Sequence, residues 1–251
     1  MLRSVADALI SVAFAPQCIS CETVLESPTR SPACDRCWQN LRRYAPPWCA
    51  RCGAPMPRLD APHECLASHS ALSALRSLGP YEGVLRDLLH ALKFDRRRSL
   101  AVPLASRLRS SVGGLFDDAD ALIPVPLHPW REWRRGFNQA ADLAGALSAG
   151  DLAVWPAVRR RRATTPQFEL DADARHENVR AAFVIAGWTP WQRARWTRRL
   201  HGRTCILVDD VTTTGATLEA CADVLLQNGA REVRAVTIGR VTLSAEGATG
   251  T

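Results

Sequence analysis

The sequence predicts an α/β protein, a parallel β-sheet flanked by helices, preceded by a small cysteine-rich module. Two observations carry this expectation. The apolar run Ile206-Leu207-Val208 leads into Asp209-Asp210, a Thr/Gly turn follows, and a helical pattern opens at Leu218. Such a run is the pattern of a parallel strand buried on both faces, and the C-terminal end of such a strand is where α/β proteins bind ligands. In addition, seven of the nine cysteines fall between Cys18 and Cys65, grouped in C-x-x-C pairs.

The chain has 251 residues, enough for one or two domains, and its 47% apolar content supports a globular core. No run of 18 apolar residues occurs, so no membrane span is expected. The formal net charge is +7, and every one of the 32 basic residues except Lys93 is arginine. A coding bias toward arginine accounts for this. The basic balance also fits polyanionic ligands, either pyrophosphate or nucleic acid. Under that bias the single lysine gains interest, because a compact ammonium is not interchangeable with a guanidinium.

Residues 1–15 read as a packing helix with Leu2, Val5, Leu9 and Ala13 on one face; a signal peptide is the competing reading, but Asp7 interrupts it. Residues 16–70 hold an internal repeat. Cys18, Cys21, Cys34 and Cys37 form one set, and Cys49, Cys52, Cys65 and Ser68 follow it 31 residues later. Paired knuckles at this spacing suit tetrahedral thiolate zinc, each C-x-x-C turn presenting two sulfurs to one ion. A redox C-x-x-C does not explain two pairs at this spacing. One structural Zn²⁺ is expected at the first set. The second set lacks its fourth cysteine. Either His63 or His69 completes a Cys₃His site for a second Zn²⁺, or the knuckle is zinc-free and held by Trp48 packing. So short a segment has no apolar core of its own, so metal would supply its folding energy. Clustered thiols of this kind also place the chain in a reducing cytoplasm. Cys205 and Cys221 fall in apolar patterns and are expected in the core.

Residues 75–243 are expected to form the α/β domain, and 244–251 a disordered tail. A helix with Val84, Leu85, Leu88, Leu89 and Leu92 on one face ends at Lys93, and a second runs from about Leu100 to Arg109. Ala121 to His128 reads as a strand entering a Pro-rich turn. A polar loop containing Arg131, Arg134, Arg135 and Gly136 leads to a helix over Ala140–Leu147, where a second phosphate site could form. His128 is either a general base or a structural turn residue, the second being preferred. A short strand near Leu152–Trp155 precedes a long polar connector, and Phe183–Ile185 is a strand. From Gly187 to Gly202 arginine and tryptophan interleave. The preferred reading is a surface hairpin whose indoles cover apolar surface; the other is a single-stranded nucleic-acid contact by stacking and charge neutralisation. Strand Thr204–Val208, a helix Thr217–Gln227 ending at Asn228-Gly229, and a strand Glu232–Val241 complete the chain.

The chemistry of the central stretch narrows its ligand. Thr212, Thr213, Thr214, Gly215, Ala216 and Thr217 offer N–H groups and hydroxyls at a helix N-terminus, an anion site, while Asp209 and Asp210 directly before it would repel a bare anion. A ligand carrying a phosphate for the N–H cradle, and sugar hydroxyls or a metal ion for the carboxylates, resolves the conflict. A ribose phosphate with Mg²⁺ meets both demands. No Gly-Lys-Ser/Thr and no G-x-G-x-x-G accompany the turn, which excludes a P-loop and a dinucleotide fingerprint.

Leu207 to Thr217 closely resembles the phosphoribosyl-pyrophosphate (PRPP) motif of the type I phosphoribosyltransferases. With the cysteine repeat, Tyr81-Glu82-Gly83, Leu92-Lys93-Phe94, Pro124-Val125-Pro126-Leu127-His128, Arg135-Gly136-Phe137-Asn138-Gln139 and the spaced set Thr164, Gln167, Leu170, Arg175 and Asn178, the chain resembles the ComF family of competence-associated proteins. The resemblance implies a type I phosphoribosyltransferase-like sheet behind an N-terminal double zinc ribbon. It implies Asp209 and Asp210 at the ribose hydroxyls or Mg²⁺, Thr213–Thr217 around the 5′-phosphate, and the Pro126–Asn138 loop near pyrophosphate. In a transfer reaction Arg135 is the expected pyrophosphate contact, and Lys93 and metal would join it in stabilising the leaving group. The resemblance also implies single-stranded DNA and competence helicase or recombination proteins as partners. Ser68 and the Trp/Arg stretch depart from the family pattern. Two functions follow: a phosphoribosyltransferase acting on an unidentified acceptor, or a non-catalytic single-stranded DNA-binding competence factor that uses PRPP as a regulatory ligand. No acceptor-base pocket is recognisable, and the oligomeric state is not encoded in any motif.

Overall fold

The structure is a computed structural model that describes residues 15–29, 31–58, 61, 63, 65, 71–161 and 182–241. Outside these lie the expected N-terminal helix, Ser68, His69, the connector positions Thr164 to Asn178 and the tail. Strands β1 (Ala74–Pro80), β2 (Ala121–Pro124), β3 (Ala153–Val154), β6 (Thr204–Thr212) and β7 (Glu232–Arg240) form one parallel sheet in the order β1-β7-β6-β2-β3. Strands β4 (Val158–Arg160) and β5 (Phe183–Ile185) pair antiparallel beside it. The described helices are α1 (Asp35–Gln39), α2 (Gly83–Phe94), α3 (Ala101–Ser111), α4 (Pro129–Arg135), α5 (Gln139–Ser148), α6 (Pro190–Leu200) and α7 (Ala216–Gln227).

Strand periodicity explains the two-sided core. Along β6, Ile206 and Val208 join a buried cluster with leucines of α2, α3 and α5, whereas Cys205 and Leu207 join a second cluster with Leu218, Cys221 and Leu225 of α7. Both faces are therefore covered, which is why the strand reads as a continuous apolar run instead of an alternating one. Helix α2 buries Leu85, Leu88, Leu89 and Leu92 as its pattern predicts, and Cys205 and Cys221 are core residues.

Three expectations about local structure are corrected. Strand β6 does not stop at Val208. Its long partner β7 continues the ladder through Asp209↔Thr237, Val211↔Gly239 and Thr212↔Arg240, so both aspartates are strand residues. The loop after β2 contains α4, started by His128 and stopped by Gly136 at φ 78°. The stretch from Gly187 is not a hairpin but contains helix α6. Thr189 accepts from the N–H of Gln192, the Gln192 side chain accepts from the N–H of Thr189, and Pro190 stands in the first turn. That is a capping box with an N-terminal proline, a start signal present in Thr189-Pro190-Trp191-Gln192.

The cysteine-rich module is docked on the sheet. Cys18, Leu25, Cys37 and Leu41 belong to the same buried cluster as α2 and α3, and Arg107 of α3 stacks 4.0 Å above the Trp38 ring. Residues 42–53 run along the outer edge of β1. Tyr44 N donates to Leu78 O (2.9 Å), and Leu75 N donates to Arg51 O (2.6 Å). The segment thus covers part of the hydrogen-bonding row that an edge strand leaves open. The approach is close enough to require glycine. A Cβ on Gly79 would lie 2.2 Å from Arg42 O, and backbone cannot yield cheaply there. Gly79→Ala is expected to cost about 2–4 kcal/mol of stability, read as a lowered denaturant midpoint. An unchanged midpoint would mean that the module is not seated on β1.

Candidate functional site

The C-terminal ends of the parallel strands gather the residues that the sequence singles out. Asp209 and Asp210 occupy β6 near its end, with part of their surface accessible. Asp209 Oδ1 accepts from Asp210 N at 2.8 Å. Lys93, one residue before the end of α2, places Nζ 3.1 Å from Asp210 Oδ1, with the two side chains only 17% and 13% exposed. Lys93 also sits 5.8 Å from the Tyr81 ring centroid. Burial, then the neighbouring charge of Asp210, pushes the Asp209 carboxyl up to about 8, against the opposing pull of the Asp210 N–H and Lys93. Asp210 holds the ammonium and Asp209 stands beside it, an oxygen donor set that fits Mg²⁺ or sugar hydroxyls.

Arg135, the last residue of α4, lies 5.0 Å above the Phe94 ring, so the end of α2 carries both Lys93 and the ring that supports Arg135. Burial lowers the Arg135 pKa; the charge of Asp210 opposes this, while Arg131 and Arg134 add to it. Asn138 closes the excursion from β2. Its side chain caps α5 by accepting from Ala140 N (2.9 Å) and donates to Val125 O (3.0 Å). His128 Nδ1 accepts from Trp130 N at 3.2 Å, the structural turn role.

Thr212 is buried as the last residue of β6, and its carbonyl accepts from Val241 N. The open turn therefore begins at Thr213. Thr214 Oγ1 accepts from Ala216 N, Gly215 takes φ 83°, and Ala216 and Thr217 start α7. The glycine supplies the left-handed residue that lets the chain reverse into the helix. Phe94 and Arg240 carry contacts that residue types alone did not reveal. Phe94 was visible only as part of Leu92-Lys93-Phe94, and Arg240 as an unremarked strand end.

The cysteines form two separate clusters. Cys18, Cys21, Cys34 and Cys37 place their sulfurs within 4.8 Å of one another, as do the ligand atoms of Cys49, Cys52, His63 and Cys65. Tetrahedral zinc with bonds of about 2.3 Å to sulfur requires S···S separations of about 3.8 Å, and slightly less from sulfur to nitrogen. The distances are 3.6 Å for Cys21–Cys34, 3.9 Å for Cys49–Cys65 and 3.4 Å for Cys52 Sγ–His63 Nε2. Side-chain and then backbone hydrogen bonds from Thr23 lower the Cys21 thiol to about 6. At Cys49 burial raises the pKa, but N–H groups of Cys52 and Arg51 outweigh it, and the thiol falls to about 6. Both are thus poised as thiolate ligands. His63 is the described residue that stands in for the cysteine missing at Ser68. The second knuckle reaches the sheet directly, because buried Arg240 donates to Cys52 O at 2.6 Å.

Comparison with known proteins agrees with this layout. Residues 9–66 match the double zinc ribbon domain and residues 134–242 the phosphoribosyl transferase domain. The protein is therefore of the phosphoribosyltransferase-like α/β class with an N-terminal double zinc ribbon. It is 36% identical over 196 residues to the DNA utilization protein YhgH of Shigella flexneri, covering 74% of this chain and 81% of that one. It is 30% identical over 230 residues to competence protein F of Haemophilus influenzae, covering 87% and 94%, and 25% identical over 203 residues to competence protein ComFC of Bacillus subtilis, covering 78% of each. The chain belongs to the ComF family. A purine phosphoribosyltransferase from Pyrococcus horikoshii Ot3 aligns with 59% of this chain and 83% of its own at a TM-score of 0.30 and 18% identity, too distant to add to this. None of the described helices is long and apolar enough to cross a membrane.

The Lys93–Asp210 pair gives a first test of the site's electrostatics. Removing one partner of a buried pair leaves an uncompensated charge. Lys93→Met is expected to cost about 2–4 kcal/mol at pH 8. The deficit should shrink as the pH falls through about 8 and the raised Asp209 carboxyl takes up a proton, which lowers the uncompensated negative charge. Thermal unfolding at pH 8 and pH 5.5 reads both effects, and a variant as stable as wild type at pH 8 would contradict the pairing.

Proposed function

We propose that this protein binds PRPP with Mg²⁺ at the C-terminal end of β6 and acts in natural competence, in the handling of incoming DNA. One observation carries the sugar-phosphate reading. A partly accessible pair of acidic residues, Asp209 and Asp210, the second paired with Lys93, stands directly before a Thr/Gly turn that opens a helix. The N–H groups from Thr213 to Thr217 would hold the 5′-phosphate, and the two aspartates the ribose hydroxyls or Mg²⁺. Mg²⁺ would supply charge neutralisation for the pyrophosphate oxygens. Arg135, held over Phe94, and Lys93 would take the charge that develops as pyrophosphate leaves C1 of the ribose with the bonding electron pair and an acceptor nucleophile adds there. The competence role is supported by relatives named for competence and DNA utilization.

A second reading, a non-catalytic single-stranded DNA-binding factor with PRPP as a regulatory ligand, is favoured by the outward-facing indoles of α4 and α6. Both readings require PRPP to bind, and only the first releases pyrophosphate in the presence of an acceptor. At a ligand excess of about a hundredfold over Kd, PRPP with Mg²⁺ should raise the melting midpoint by about 5–10 °C. No shift from PRPP with or without Mg²⁺, in a protein that melts cooperatively, would overturn both readings.

A further inference from the structure

The tryptophans of α4 and the α6 entry do not cover apolar surface. Trp133, Trp188 and Trp191 are 82%, 82% and 84% exposed, and Trp130 is 57% exposed. Two of these indoles carry an arginine on their face. Arg159 lies 4.6 Å over Trp188, and Arg134 lies 5.3 Å over Trp130. Two concave regions adjoin them. One, of about 330 Å³, lies between the β2–α5 loop, including Pro126 and Asn138, and the edge formed by Arg159, Arg160 and Trp188. The other, of about 420 Å³, is lined by Arg159, Arg161 and Arg193 together with Gln227 and Asn228. Arg159 belongs to both, and its Nε is buried without a hydrogen-bond partner among the described residues. Among the described residues lining the two regions the sole carboxylate is Glu132. Arg131 is near enough to Arg160 and to Arg135 to disfavour their charged forms, so the basic run continues to the sugar-phosphate site.

We propose that this strip, from the β2–α5 loop across β4 to the N-terminal end of α6, is a path for single-stranded nucleic acid, with Trp188 and Trp191 stacking on bases and Arg159, Arg161 and Arg193 neutralising phosphates. The proposal deepens the DNA-handling part of the reading above and rests on it only for the class of process. Flat rings alternating with guanidinium groups match a chain that alternates bases and phosphates. Phosphate neutralisation needs the cationic side to be nearly free of carboxylates, as it is here. A second copy of the chain fits less well, because an isologous contact would set arginine against arginine. The surface is concave, whereas a bilayer presents a flat one.

The test uses full-length, zinc-loaded protein and a fluorescein-labelled oligo(dT) strand of about 20 nucleotides, with anisotropy measured over a series of NaCl concentrations. Wild type should bind with an affinity that falls steeply with salt. The double variant Trp188→Ala/Trp191→Ala should bind about tenfold more weakly or worse. Arg193→Ala should reduce the slope of log K against log salt by about 1. Wild-type affinity in both variants, or no salt-dependent binding by wild type, would overturn the path. So would a double variant that loses only self-association in sedimentation, or only binding to anionic phosphatidylserine vesicles, while it keeps the oligonucleotide. The same variants are titrated with PRPP and Mg²⁺. Retained PRPP binding alongside lost oligonucleotide binding is the expected result. Wild type that ignores PRPP but loses DNA with the tryptophans would leave the path standing and overturn the sugar-phosphate reading alone.

Discussion

Asp209→Asn is expected to give a folded, zinc-loaded protein whose affinity for PRPP with Mg²⁺ falls by about tenfold to a hundredfold, the worth of one charged hydrogen-bonding partner. The variant should at the same time be no less stable than wild type. Asp209 is squeezed by burial and by the charge of Asp210, and its carboxyl is pushed up to about 8 from an ordinary 3.8. Between those two values the folded state binds more protons than the unfolded state. Stability of the wild type therefore falls as the pH rises from about 4 to about 8, and the full penalty is present above that window. Asparagine removes the titrating group. The gap in melting temperature in favour of Asp209→Asn should widen with rising pH across the same range. A variant that loses both ligand affinity and stability would make Asp209 a structural residue instead.

Cys37→Ser is expected to be the most destabilising single change outside the sheet core. Cys37 is buried in the cluster that joins the first ribbon to α2 and α3, together with Cys18, Leu25 and Leu41. Zinc binding to ribbon-like peptides contributes on the order of 10–16 kcal/mol, more than the whole stability of a typical domain. Without the fourth thiolate the first ribbon has too little core of its own to stay folded, and the apolar faces of α2 and α3 beneath it meet water. Metal analysis should fall from two zinc ions per chain to one, with a drop in melting temperature of about 10 °C or more. His63→Ala should remove the other ion instead, with a smaller loss, because that knuckle is also held through Arg240, Arg76 and Trp48. Two zinc ions in the His63 variant would show that a residue other than His63 closes the second site.

The parts of the molecule governed by local pattern were legible in the sequence. The apolar run Ile206-Leu207-Val208 gave the central parallel strand, the leucine spacing from Leu85 to Leu92 gave α2, and the 31-residue repeat gave the two cysteine clusters. The arrangement was less visible where partners far along the chain decide it. Strand β6 extends through Asp209 to Thr212 because β7 is long enough to pair with it, and no feature of β6 itself encodes that length. Lys93 drew attention as the single lysine and within Leu92-Lys93-Phe94, yet its meeting with Asp210 depends on how α2 packs across the sheet end. That His63 gathers with Cys49, Cys52 and Cys65 needed coordinates. Helix α6 is different, since Thr189-Pro190-Trp191-Gln192 announces it. The arginine and tryptophan content hid a capping signal that was present all along.

Calorimetric titration of the zinc-loaded protein with PRPP, with and without Mg²⁺, in wild type and Asp209→Asn side by side decides whether the end of β6 is a sugar-phosphate site. Wild type should show one site per chain, tighter with Mg²⁺, and the variant a loss of at least tenfold. No heat from well-folded wild type, or equal affinity in the two proteins, would contradict the sugar-phosphate reading.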